Sequence, residues 1–420
     1  MTRARPVAVF SRVAMMAGVT IFFAYVDYHM TENGALSPPS TYIFLWALVG
    51  WAAIVAAQCL ASPLMAREVI ALYANHVGVL GALLAIVVCS CVFALLPTAY
   101  WNDGVMYLLY PPYDAIVVVL SMLLAVHGVH RRSFRLYLLG AFVVFAGSVL
   151  YDALYPGTFS LVPDRAAGFA ENPNTAAFIL VLLCVSIVDL DRFRLGDCAV
   201  WVLTAVGVFL TLSRGGGILF LCAFGYYAYR TLRTNAAHPA HLVRRAAALA
   251  AMFAAVVATS VFLVQRADMF ALSFQPRLGM IHGESDVVTE DDDRIGALKT
   301  AFDLVKRSPV IGYGTGYSYS LIDVTPHNMY LQQWMNNGLP GLAAYLFLLG
   351  AAARTFWRRR YTRGVLFISL VAINGMFSHN ILEERAFLGL LGVLLTCSFY
   401  ERYPAIASRI ARSRLQPVVN

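Results

Sequence analysis

His327-Asn328 ends a Gly/Tyr-rich run over residues 311–326 and opens onto an apolar stretch. An imidazole in that position stands where water meets a membrane span, and it can accept a proton near neutral pH. Tyr313, Tyr317 and Tyr319 precede it and could stack on sugars. Arginines supply the second chemical group. Arg214 lies in LSRGGG (212–217), between two apolar stretches with almost no loop, Arg294 follows Asp291-Asp292-Asp293, and Arg165 opens a Gly-rich turn. A guanidinium stays charged at any working pH, and its planar fork matches two phosphate oxygens. A base with several guanidiniums is suited to displacing a phosphate leaving group.

Each residue also has a plainer reading. Arg214 could snorkel to lipid headgroups, and His327 could simply cap a helix. Asn172-Pro173-Asn174 has the chemistry of an N-cap followed by proline at the first helical position. Glu290 to Asp293 could hold a divalent ion, but a solvated acidic helix start explains them as well. His379, Asn380, Glu383, Glu384 and Arg385 form a second polar cluster, which could support the site or pair within itself.

The elements that must carry these groups are membrane helices. The 420 residues are 60% hydrophobic and 13% charged, with mean hydropathy +0.68, more apolar than a soluble core of this size requires. Apolar stretches predict about twelve spans, near 7–27, 40–60, 76–97, 113–129, 134–151, 175–191, 197–213, 215–231, 244–265, 327–353, 361–378 and 385–401. The expected fold is an all-α polytopic membrane protein. Residues 1–265 hold spans one to nine, 266–326 form a long periplasmic loop with an amphipathic helix, and 327–420 hold the last three spans and a cytoplasmic tail. In that loop Ile295, Leu298, Phe302 and Val305 fall at helical spacing, with Asp291 or Asp292 as cap, Arg294 in the first turn, and Ser308-Pro309 as stop.

Charge supports a cytoplasmic amino terminus. Only Arg165, Arg214, Arg266, Arg277, Arg294, Lys299, Lys306, Arg307 and Arg385 then lie outside, leaving 22 of the 31 Lys and Arg inside (31 minus nine). The net charge of +8 is thus a topology signal, and no nucleic-acid recognition motif accompanies it. The amino terminus lacks an A-x-A-like cleavage site, so an uncleaved first span is expected. All seven cysteines lie in or beside apolar segments and read as small hydrophobes.

Five patterns together resemble the O-antigen ligase and polymerase superfamily of bacterial envelope glycan enzymes. They are G-F-x-x-N-P-N-x-x-A at 168–177, S-R-G-G at 213–216, D-x-R at 292–294, P-V-I-G-Y-G-T-G at 309–316, and H-N-x-Y-L-Q-x-x-x-x-x-G-L-P-G-L at 327–342. The resemblance covers roughly residues 160–345. It implies a glycosyltransferase of the bacterial inner membrane with a periplasmic active site, using an undecaprenyl-diphosphate-linked glycan without nucleotide sugar, cofactor or obligatory metal. His327 would be the catalytic histidine, with Arg214 and Arg294 gripping the diphosphate. Arg165, Asn172, Asn174, Ser213, Tyr313, Tyr317 and Asn328 are the expected substrate contacts.

Within the superfamily the acceptor differs: lipid A–core for a ligase, another lipid-linked repeat for a polymerase, Ser or Thr for a protein O-oligosaccharyltransferase. Length and the compact outer loop favour the ligase. A lipid-linked glycan flippase could use the same arginines, but it needs access from both faces and usually shows repeat symmetry, and no strong internal repeat is present here.

Overall fold

Long apolar runs with few breakers give backbone polar groups no partner but their own segment, and helices follow. The computed structural model describes residues 16–32, 40–98, 104–128, 131–162, 165–190, 194–233, 288–320 and 326–403, with isolated positions between 243 and 258. Among the described residues the regular elements are helical. They are α1 (Val26–Glu32), α2 (Ser40–Ala61), α3 (Pro63–Ala74), α4 (Val77–Phe93), α5 (Gly104–Gly128), α6 (Arg131–Leu154), α7 (Pro173–Ile187), α8 (Leu195–Leu210) and α9 (Arg214–Arg233). After them come α10 (Val288–Arg307), the single turn α11 (Tyr317–Ser320), α12 (Met329–Arg358), α13 (Thr362–Asn374) and α14 (Arg385–Arg402).

Three stretches among the described residues are long and apolar enough to cross a membrane: Leu109–Val126, Phe134–Leu154 and Met329–Arg358. The pair α3 and α4 makes a fourth if its 64° bend lies within one span. The expected span near 76–97 therefore has a helical neighbour that the hydropathy pattern missed. Ser62 caps α3 and Pro63 opens it, and both are start signals hidden inside an apolar run. The expected first span, as far as it is described, breaks at Tyr25, whose φ is +59°, before α1. The helix expected from 113 begins at 104 and runs through Pro111 and Pro112. The expected ninth span and residues 266–287 lie largely outside the described residues.

The chain divides into two units, one formed by residues 1–44 and 132–285, the other by 45–131 and 286–420. In the first, α7 packs against α8 and α9 and is almost wholly buried, from Ala176 to Val188. Asp197, at 0% exposure, receives a hydrogen bond from Arg135 at the start of α6 and another from the Asp189 amide at 3.1 Å. A buried carboxylate needs such partners to remain charged.

In the second unit α12 is the spine: α4, α10, α11, α13 and α14 pack against it, and α14 also packs along α5. The amphipathic helix is present as α10, and it stops at Arg307 before Ser308-Pro309 as its sequence requires. It starts earlier than expected, at Val288, so Arg294 lies in the second turn. Its buried stripe also differs. Ala301 and Val305 cluster with Met335 of α12 and Ala297 is buried one turn before them, while Leu298 and Phe302 are 44% and 46% exposed. Two alanines one turn apart let α10 approach α12 closely, and that displaces the larger side chains to the outer face.

α12 is broken at Asn337-Gly338. Pro340 has no N–H, so the carbonyl of Asn336 loses its helical donor, and the turn at Gly338 withdraws the Leu339 amide from Met335. The segment 309–314 fills both vacancies. Tyr313 N donates to the Met335 carbonyl at 2.9 Å, Gly314 N donates to that of Asn336 at 2.8 Å, and Leu339 N turns to the Pro309 carbonyl at 3.1 Å. The glycine-rich run and the Gly-Leu-Pro-Gly run are two halves of one backbone clasp.

Candidate functional site

The first unit holds Arg165, Asn172, Asn174, Ser213 and Arg214. Asp152 organises the loop leading to Arg165. Its carboxylate accepts from the amides of Phe159 at 3.0 Å, Ala167 at 2.7 Å and Gly168 at 3.1 Å. Arg165 is buried, with Nε donating to the Thr211 carbonyl and Nη2 to Asn174 Oδ1, both at 2.9 Å. Ser213 Oγ donates to the same Asn174 oxygen at 2.9 Å. These bonds fix the position of the guanidinium.

Asn172 is the N-cap of α7, accepting from Asn174 N and Thr175 N, which gives it the structural role its sequence context allows. Gly216 lies against Ala177, where a Cβ would collide. That glycine serves the α9–α7 contact. Arg214 is the first residue of α9 and is exposed. A helix start favours negative charge, so an anion near Arg214 would meet both the guanidinium and the positive end of α9.

The second unit holds Arg294, Tyr313, Tyr317, His327 and Asn328. The backbone of Arg294 is helical in α10; its side chain lies outside the described set. Tyr313 and Tyr317 stack on each other at 4.7 Å and 18°, and Tyr313 Oη donates to the Leu304 carbonyl at 3.2 Å. Both rings belong to the cluster that binds α10 to α12. Asn328 caps α12 by accepting from Leu331 N at 3.1 Å. His327, just before that cap, is exposed. Met329 N donates to the Gly375 carbonyl at 2.8 Å and Tyr330 Oη to that of Ala372 at 2.7 Å, tying this end of α12 to the end of α13.

That tie sets the His327 ring 5.1 Å from His379. Ser378 Oγ donates to Asn380 Oδ1 at 2.6 Å and Asn380 Nδ2 to Glu384 at 3.0 Å, holding the turn that carries His379. Burial, reinforced by His327, lowers the pKa of His379 to about 4, so it stays neutral beside its partner. Tyr319 lies 6.2 Å from His379 and hydrogen-bonds the Glu383 carboxyl. Burial raises the pKa of Glu383 to about 7, against the Tyr319 hydrogen bond and with help from Glu384. The second polar cluster of the sequence thus joins the histidine directly.

These shifts have opposite linkage. Glu383, raised in the fold, stabilises fully below the ordinary value of 4.5 and loses that contribution as pH rises through about 7. His379, lowered in the fold, costs stability as pH falls from 6.5 towards 4. Above pH 6.5 the Glu383 contribution acts without His379. We expect the melting temperature of purified protein to fall between pH 6.5 and 8, and Glu383→Gln to flatten that fall in a thermal-shift series. An unchanged slope in the variant would assign the pH dependence elsewhere.

Sequence reasoning missed Asp114, Thr315, Gln332, Asn336 and Asn337, which line one cavity with Tyr319 and Glu383. The signals were present. Asp114 is an acid inside an apolar span, and Gln332, Asn336 and Asn337 recur at helical spacing along α12. Asn336 Oδ1 accepts from Ser318 N at 2.8 Å and its Nδ2 donates to Ser318 Oγ at 3.0 Å, fixing α11 against α12.

No curated protein matches the chain. Residues 199–346 match the family model described as O-antigen ligase, a segment that runs from α8 to the middle of α12 and includes Arg214, Arg294 and His327. Over that segment the chain is similar to the O-antigen ligase family.

Proposed function

We propose that this protein is an O-antigen ligase of about twelve spans in the bacterial inner membrane. It transfers glycan from undecaprenyl diphosphate to a sugar hydroxyl of lipid A–core on the periplasmic face. The observation that carries the reading is His327: an exposed imidazole at the capped start of an apolar 30-residue helix, beside a histidine held neutral. His327 takes the proton of the acceptor hydroxyl as its oxygen attacks the anomeric carbon. The bond from that carbon to the diphosphate oxygen breaks on the opposite face, inverting the centre, and the diphosphate leaves with the electron pair. By the family resemblance, Arg214 and Arg294 stabilise the departing charge. Arg165, Asn174 and Ser213 form the bonded group next to Arg214 in sequence. Asn172, Asn328, Tyr313 and Tyr317 shape the surrounding surface through their caps and stacking. No metal step is needed, because the leaving diphosphate meets guanidiniums.

Reconstitution in proteoliposomes with lipid-linked glycan and lipid A–core tests the reading. Glycosylated lipid A–core is the expected product. Longer lipid-linked chains alone would make it a polymerase, glycosylated Ser or Thr a protein transferase, and movement without bond formation a flippase.

A further inference from the structure

A cavity of about 50 Å³ lies in the second unit, between α5, the 315–319 segment, α12 and the Ile381–Glu383 turn. Two of the residues lining it carry buried acceptors with no donor among the described residues: Oδ1 of Asp114, 4% exposed, and Oε1 of Gln332, 3% exposed. Buried acceptors left unmet are unfavourable, so the cavity is built to receive donors. A water-sized group takes roughly 10–15 Å³ of such space, so about three fit. That admits a hydroxymethyl arm or a vicinal pair of hydroxyls while the sugar ring stays at the mouth. Gln333 adds an amide donor to the lining. A hydroxyl oxygen can use that donor and a bare cation cannot.

The position is as informative as the chemistry. Glu383 lines the cavity and bonds Tyr319, the Tyr319 ring adjoins His379, and His379 adjoins His327. A sugar anchored here by one pair of hydroxyls lies within a few side chains of the imidazole.

We propose that this cavity is the acceptor-sugar subsite: Asp114 and Gln332 receive hydroxyl protons of the acceptor, and that grip turns a neighbouring hydroxyl towards His327. The assignment rests on reading the chain as a transferase to a sugar hydroxyl. The test uses purified full-length protein and delipidated core oligosaccharide, titrated by calorimetry against wild type, Asp114→Asn and Gln332→Met. Loss of a hydrogen bond to a charged or buried partner weakens binding roughly tenfold or more. We expect that weakening in both variants, with acceptor KM rising by a similar factor and donor KM within about twofold.

If both variants bind oligosaccharide as wild type does, the subsite is wrong. Sodium chloride binding in place of oligosaccharide would make the cavity a cation site and equally overturn it. Should Asp114→Asn fail to fold, Gln332→Met carries the same comparison. The two readings fail separately. Asp114-dependent oligosaccharide binding without any transfer sinks only the transferase, and transfer with unchanged acceptor KM sinks only the subsite.

Discussion

Replacing His327 with alanine will lower glycan transfer by about 10²–10⁴-fold, the usual contribution of a positioned general base, and will leave the melting temperature close to wild type. The second half of this expectation makes the first decisive. His327 is exposed, and the cap of α12 belongs to Asn328, so the truncation leaves that cap in place. His379 cannot substitute. Its low pKa makes it a poor proton acceptor, and His327 itself contributes to that lowering. A transfer assay with matched protein amounts and a parallel thermal melt provide the check. Full activity in the variant would remove His327 from the chemistry, while loss of activity with loss of folding would assign it a structural role.

Local signals were legible where one residue and its neighbours decide the outcome. Asn172 caps the helix that follows it, and Ser308-Pro309 ends α10, because capping and proline chemistry act within a turn, whereas the cap of α12 is Asn328, one residue past the His327 expected there. Apolar length placed α6, α7, α9 and α14 within a few residues. The α10 stripe was harder, since Leu298 and Phe302 have the right spacing for burial yet yield to Ala297 and Ala301. Close approach to α12 depends on the partner, which periodicity does not contain. Asp114 fell at the edge of the span expected from 113, but it lies well inside a helix that begins at Gly104. The helix continues through Pro111 and Pro112, as spans can when neighbouring groups satisfy the freed carbonyls. The Tyr319–Glu383 and His327–His379 pairs join residues far apart in the chain, and no local pattern announces them.

The resemblance in the segment around His327 rested partly on two glycine-rich runs, and their role differs from what a site near chemistry suggests. Gly338→Ala will abolish the stable fold of the second unit, the largest stability effect expected in the molecule. Gly338 has φ 61° and ψ −162°, a region that residues with a Cβ essentially do not occupy, at about 1–3 kcal/mol of strain alone. An added Cβ would also strike the Val310 carbonyl and come within 2.6 Å of the Ile311 carbonyl carbon, both backbone atoms that cannot rotate away. Gly312, with φ +73°, faces it across the clasp, where a Cβ would come within 2.5 Å of Gly338 N. Relieving either clash pulls Tyr313 N and Gly314 N from the carbonyls of Met335 and Asn336, and those carbonyls then have no helical donor to return to. With typical stabilities of about 5–15 kcal/mol, strain plus two orphaned buried carbonyls removes a large share. Gly350→Ala, on the same helix with open space around its Cα, is the control and should behave as wild type. Yield and monodispersity on size-exclusion chromatography in detergent distinguish the two. A monodisperse Gly338→Ala protein that melts with wild type would show that the clasp does not hold α12 in its broken form.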